Sequence, residues 1–78
     1  MKHTETWKWI AQNPEIIGGQ FRIRGTRMSV AMVLELLSSG VEPQEIEEQF
    51  PPFSKESIPE VLKFASIIVA GDKTNVAA

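Results

Sequence analysis

The spacing of hydrophobic residues changes about a third of the way along this 78-residue chain. In the first third, short segments over residues 7–10 ("WKWI") and 21–24 ("FRIR") alternate apolar and polar side chains, as β-strands do. Gly18 and Gly19 between them permit a sharp reversal. The pattern predicts a small antiparallel ribbon. Two strands alone are marginal in water, so the ribbon needs a helix or a second copy of the chain to lie against.

After Gly25, which is predicted to turn the chain with a positive φ, apolar residues recur at helical spacing. Ser29 is a suitable N-cap for a first helix, "VAMVLELLSSG", and Gly40 fits the left-handed position that follows a helix. The helix is predicted to bury one face, formed by Val30, Val33, Leu34 and Leu37.

Pro43 suits the first turn of a second, shorter helix, "PQEIEEQF", because its ring presets a helical φ. Ile46 and Phe50 lie four residues apart in this segment and are predicted to face the core. Pro51 and Pro52 should end the helix, since proline removes a backbone donor.

A third helix can begin at Ser54 or at Ser57. The string "SIPE" is typical of a capping box with Ser57 at the cap and Glu60 three residues later, which places Pro59 in the first turn. An initial 3₁₀ turn from Ser54 would reconcile both starts. The predicted buried stripe consists of Ile58, Val61, Leu62, Ala65 and Ile68 or Val69.

These elements predict a mostly α fold, in which a short N-terminal β-ribbon precedes a three-helix domain of helix-turn-helix type. We expect one domain over residues 7–70, a flexible N-terminus over 1–6 and a disordered tail over 71–78. A domain this small buries a limited fraction of its surface, so association with a second copy or a partner is expected.

Composition excludes several function classes. The chain has no cysteine, so neither a disulfide framework nor a zinc knuckle is available, and the lone His3 cannot form a metal site by itself. Serines occur without a plausible base, so we expect no enzyme activity and no cofactor. No apolar run reaches membrane-spanning length and no secretory segment begins the chain, so a cytoplasmic protein is expected.

Charge is distributed unevenly along the sequence. Residues 1–30 carry five basic side chains and two glutamates, whereas residues 31–62 carry one lysine and seven glutamates. The glutamates at 42, 45, 47 and 48 lack the loop spacing of a calcium site and are expected to form a solvated face. The split favours either an anionic partner at the N-terminal end or pairing between the two blocks.

All three arginines, Arg22, Arg24 and Arg27, fall within six residues. Their guanidinium groups could bind phosphates or a partner's carboxylates. Alternatively, Arg27 could pair with a glutamate of the second helix or with carbonyls at a helix end. We expect Arg27 to act mainly on stability, and Arg22 and Arg24 to point away from the core and act mainly on partner binding.

The third helix would read DNA in a helix-turn-helix protein. Its predicted outward residues carry two lysines and two glutamates, a weak basic footprint for DNA. They are Lys55, Glu56, Ser57, Glu60, Lys63 and Ser66.

The strings "NPEIIGGQFRIRGTRMSV" and "LELLSSGVEPQEIEEQFPPFSKESI" resemble the small proteins catalogued as domain-of-unknown-function family 433. That family has an Asn-Pro or Asp-Pro step, Gly-Gly, an Ile-Arg-Gly-Thr-Arg block and three helices, a pattern matched here from about Trp9 to Ala65. Two departures stand out: Gln20 and Phe21 replace a common Lys-Pro, and Glu42 replaces a Ser or Thr cap.

The resemblance implies a homeodomain-like helix-turn-helix fold and an antitoxin-like role beside a PIN-like ribonuclease toxin. We therefore expect a homodimer that binds the toxin and double-stranded operator DNA, or alternatively a protein-interaction module that does not bind DNA. The expected nucleic-acid contacts are Arg22, Arg24, Thr26, Arg27, Lys55, Ser57 and Lys63. The expected dimer or partner contacts are Trp7, Trp9, Phe21 and Ile23.

Overall fold

The computed structural model describes residues 7–71. The expected flexible N-terminus and, apart from Gly71, the expected disordered tail lie outside the described residues. Two strands are followed by three helices, with the bounds β1 Ile10–Ala11, β2 Arg22–Ile23, α1 Val30–Ser38, α2 Pro43–Gln49 and α3 Ile58–Ala70. The predicted fold class, a short β-ribbon followed by three helices, is confirmed.

The ribbon is shorter than the sequence pattern predicted. Ile10 lies opposite Ile23 and Ala11 opposite Arg22, in antiparallel register. Each strand has two residues, so the predicted strand over residues 7–10 is wrong except for Ile10.

The Glu60 carboxylate limits the length of the first strand. The backbone N–H groups of Trp9 and Ile10 donate to Glu60 Oε2, at 2.6 and 3.1 Å. Because these donors point to a side chain of α3, they are not available to a neighbouring strand. The ribbon is therefore joined to α3 at its start, as well as through its apolar face.

The loop between the strands is held by its own side chains. Asn13 Oδ1 accepts from the Glu15 N–H at 2.8 Å, and Gln12 Nε2 donates to the Gly19 carbonyl at 2.8 Å. Gly18 and Gly19 have φ values of 68° and 82°, which explains why glycine occupies both positions. The predicted reversal is confirmed.

The turn into α1 follows the sequence prediction. Gly25 has a φ of 84°, and Ser29 caps the helix by accepting from the Met32 N–H at 3.0 Å. Gly40, with a φ of 90°, ends the helical segment in the left-handed conformation.

The approach to α3 combines the two predicted starts but does not form the predicted capping box. A 3₁₀ turn spans Lys55–Ser57, with Ser54 Oγ accepting from the Glu56 N–H at 3.2 Å. Ser57 already has helical angles, φ −76° and ψ −16°, whereas an N-cap side chain needs an extended backbone. Its hydroxyl instead donates to the Ser54 carbonyl at 2.8 Å. Ser57 is therefore buried and does not cap the helix.

The core lies between the ribbon and the inner faces of the three helices. Its buried apolar side chains are Ile10, Ala11, Ile23, Met28, Val30, Val33, Ile46, Phe53, Ile58, Val61 and Phe64. The predicted stripe on α3 is wrong at Leu62, Ile68 and Val69, which are 51%, 57% and 68% exposed. Phe64 is buried in their place because the ribbon covers its side of α3. Among residues 7–71, no helix has the length and apolar character needed to cross a membrane.

Candidate functional site

In the arginine turn, residues 22–27, one arginine makes hydrogen bonds to another part of the same chain. The Arg24 side chain donates from Nε to the Lys8 carbonyl at 3.0 Å, and from Nη2 to the carbonyls of Trp7 and Ile10 at 3.3 and 2.9 Å. These bonds fasten residues 7–10 to the turn that follows β2. Arg24, which we expected to act mainly on partner binding, therefore has a structural role.

Two hydroxyls of the expected nucleic-acid set are also used internally. Thr26 Oγ1 donates to the Ile23 carbonyl at 2.8 Å and accepts from the Met28 N–H at 2.9 Å. Ser57 has no exposed surface. In this conformation Ser57 therefore offers no surface for the expected DNA contact, and its hydroxyl is used within the 3₁₀ turn.

Arg27 differs from Arg24. It is exposed, and its guanidinium takes part in none of the hydrogen bonds within residues 7–71. The expected pair with a glutamate of α2 is not formed among these residues. Arg27 instead lines a groove with Met32, Phe50 and Pro51. It is thus separated from Arg22 and Arg24, which line a different cleft.

The outer surface of α2 and α3 carries more acid than base. Lys55 and Lys63 are exposed, but Lys55 Nζ donates to Gln44 Oε1 at 2.7 Å and its N–H donates to Glu47 Oε2 at 3.1 Å. Exposed glutamates stand on the same surface, at positions 42, 45, 48 and 56. This surface lacks the basic face that usually accompanies DNA binding.

The aromatic residues of the expected dimer set pack mainly inside the chain. The rings of Trp7 and Phe21 both meet Phe64 edge-on, with centroid distances of 5.5 and 4.8 Å. Ile23, also in the expected dimer set, is 1% exposed and packs in the core of the single chain. Trp9 remains half-buried beside Lys8, whose Nζ lies 5.3 Å from the ring centroid.

An open apolar groove lies between the ribbon, α1 and α3, and we call it the α1–α3 groove. Its volume is about 380 Å³, and within residues 7–71 Gln20 is the only polar residue lining it. The others are Phe21, Val30, Ala31, Leu34, Phe64, Ala65, Ile68 and Val69. Ile68 lies one helical turn after Phe64 and on the same face of α3. Phe64 is buried, whereas Ile68 is largely exposed.

A family model described as "Protein of unknown function (DUF433)" matches residues 10–65, from β1 to the second half of α3. The chain belongs to this family. The resemblance seen in the sequence is confirmed at the level of the family. No significant match was found among curated proteins or solved structures. The DUF433 match includes the arginine turn and the base of the α1–α3 groove, while Ile68 and Val69 lie beyond it.

Sequence reasoning missed the part played by Glu60 and Phe64 within the DUF433 segment. Glu60 was expected in a capping box and on the outer face of α3, but it is half-buried and binds the backbone before β1. Phe64 lay outside the predicted stripe. No local signal identifies either role, because each depends on a contact between residues about 40 to 50 positions apart in the chain.

Proposed function

We propose that this protein is the antitoxin-like member of a two-gene toxin–antitoxin module and acts without enzymatic activity in the cytoplasm. Its partner would be a PIN-like ribonuclease, as the family resemblance implies. The observation that supports a protein partner is the α1–α3 groove, which remains open on the isolated chain and is lined almost entirely by apolar side chains. Such surfaces are typical of protein contact sites.

Charge supports a ribonuclease as that partner. A ribonuclease needs a basic surface to attract the phosphates of RNA. The outer face of α2 carries exposed glutamates at 42, 45 and 48, whereas no charged residue in the described part of the chain lines the groove. A chain that carries both an apolar contact surface and an acidic face complements a basic partner, and the opposite charges speed association.

The proposal is tested by titrating the full chain with the PIN-like ribonuclease encoded next to it. Replacing Ile68 by aspartate would place a charge in the groove, and we expect binding to weaken at least about tenfold. The matched control is Leu62→Asp, on the same helix and similarly exposed at 51% against 57%, but outside the groove. We expect Leu62→Asp to weaken toxin binding less than about twofold, although it introduces the same charge.

Equal effects of the two substitutions, or wild-type binding by the Ile68 variant, would reject the groove as the toxin site. A neighbouring product that neither arrests growth alone nor is neutralised by this chain would reject the antitoxin role itself. The two parts of the proposal can therefore fail separately.

Operator DNA is a second candidate partner, favoured by the exposed Arg27 at the entry to α1. If Arg27 contacts a phosphate, Arg27→Ala should weaken binding to all DNA sequences alike. It should also lower the slope of log affinity against log salt by roughly 0.9. Fluorescence anisotropy over a salt series measures both quantities. An unchanged slope would remove Arg27 from the DNA contacts.

A further inference from the structure

The arginine turn borders a polar cleft that the proposed function does not use. The cleft has a volume of about 280 Å³ and is lined by Gln12, Asn13, Arg22 and Arg24, with Ile10 and Ala11 at its base. Arg22 lies in β2 and Arg24 is the first residue after this strand, and both side chains line the cleft. Among the residues that the structure describes, no carboxylate lines the cleft to offset their two positive charges.

The hydrogen bonding of Arg22 is unusual for a buried group. Its Nε is buried and makes no hydrogen bond with any of residues 7–71. A buried donor without an acceptor costs about 1–3 kcal/mol, and more when the group is charged, so such groups are uncommon without a functional reason. Arg22 bears this desolvation cost, whereas the nearby Arg24 donates to three backbone carbonyls.

Arg24 is held in place by those carbonyls. They engage its Nε and Nη2, and none of these bonds uses Nη1. Asn13 is also fixed, because its Oδ1 accepts from the Glu15 N–H, which orients the amide of this side chain. The cleft is thus lined by a preorganised guanidinium, an oriented amide and the side chain of Arg22, whose Nε makes no hydrogen bond within residues 7–71.

We propose that this arginine cleft binds the dianionic phosphate group of a small ligand, either inorganic phosphate or a terminal phosphate monoester. A dianion offsets both guanidinium charges, and a tetrahedral group has oxygens directed toward donors on β2 and on the loop after β1. A carboxylate has one charge and two coplanar oxygens, so it satisfies fewer of these donors. The cleft is separate from the α1–α3 groove, and the proposal does not depend on an antitoxin role.

The experiment titrates the full chain with inorganic phosphate at constant ionic strength and follows backbone and arginine Nε–H resonances by NMR. We expect saturable shifts centred on Gln12, Asn13, Arg22 and Arg24. Acetate and dimethyl phosphate, each with a single charge, should bind at least about tenfold more weakly. A nucleoside monophosphate, compared with inorganic phosphate, distinguishes a ligand-borne phosphate from the free ion.

Two arginine variants make a matched pair. Arg22→Gln should weaken phosphate binding at least about tenfold, whereas Arg27→Gln removes the same charge outside the cleft and should change it less than about twofold. Arg22→Lys keeps the charge but loses the planar fork, so an intermediate affinity is expected. The melting temperature of each variant, measured without phosphate, shows whether the variant folds. The wild-type titration tests the proposal even if a variant does not fold.

Linear shifts without saturation, equal loss in the Arg22 and Arg27 variants, or acetate binding as tightly as phosphate would each overturn the assignment. Tighter binding of the nucleoside monophosphate than of inorganic phosphate would support a ligand-borne group. Equal binding of the two would support the free ion.

Discussion

Glu60 connects the third helix to the start of the ribbon. Its carboxylate accepts two backbone N–H groups, from Trp9 and Ile10. Hydrogen bonds to a charged acceptor are stronger than neutral ones, and removing the acceptor leaves both donors without a partner.

Glu60→Ala should lower the free energy of unfolding by about 1–3 kcal/mol, because both backbone donors lose their acceptor. Glu56→Ala is the control, since Glu56 is exposed and a surface substitution should stay within about 0.5 kcal/mol. Urea denaturation of both variants measures the difference. Coinciding midpoints would show that the Glu60 bonds add nothing to stability.

Arg24 and Arg27 should contribute to stability in the opposite order to that expected from the sequence. Arg24→Ala removes three bonds to carbonyls and should cost about 1–2 kcal/mol, a value kept low because the side chain is largely exposed. Arg27→Ala should stay within about 0.5 kcal/mol. Thermal melts of the two variants decide the order. A larger loss for Arg27 would restore the original assignment.

Among the elements, the turn before α1 depends on the backbone conformation of Gly25. Its φ of 84° is strained for a residue with a Cβ. A Cβ added at Gly25 would have no neighbouring atom within 4 Å, so the strain would come from the backbone and not from a clash. Gly25→Ala should therefore destabilise the fold by about 1 kcal/mol or more through backbone strain alone.

The matched control for this turn is Gly71→Ala. Gly71 has a φ of −74° and ordinary van der Waals space for a Cβ, so the same substitution should be neutral or stabilising. Differential scanning calorimetry compares the two variants. Equal melting temperatures would show that Gly25 is not held in the left-handed conformation.

The third helix shows how neighbouring elements determine the buried face of an amphipathic segment. Residues 61, 62, 64 and 65 are all apolar, so several adjacent faces could have faced the core. Phe64 is buried because Trp7 and Phe21 cover it, and Leu62 lies on the uncovered side. Beyond Ala65 the ribbon no longer covers the helix, which leaves Ile68 and Val69 exposed.

At the scale of the whole molecule, we predict that the isolated chain forms a homodimer. The ribbon offers less apolar surface than expected, because Trp7 and Phe21 pack on Phe64, so we assign the contact to the α1–α3 groove. Sedimentation at micromolar concentration should give about twice the mass of the 8.7 kDa chain.

The same groove is proposed for the toxin, so toxin and second copy should compete. Adding the toxin should convert the homodimer into a mixed complex, and Ile68→Asp should give a monomer in its absence. A wild-type chain that sediments only at 8.7 kDa would contradict the homodimer while leaving the toxin site open to its own test.

Features that depend on local chemistry were predictable from the order of residues alone. Ser29 as a cap, Gly25 and Gly40 as left-handed residues and Pro43 at the start of α2 were all predicted, because each depends on the backbone within about four residues. The order of ribbon and helices followed from the change in hydrophobic spacing. The family also followed, since its motif is contiguous.

Which polar side chains are available to a partner depends on contacts between distant parts of the chain. Arg24 and Arg27 have the same chemistry and lie three residues apart, yet one is fastened to carbonyls 14 to 17 positions away and the other is exposed. Glu60 likewise binds donors about 50 positions away. Side-chain periodicity reports which face of an element is apolar, but it carries no information about which distant backbone group lies opposite a charge.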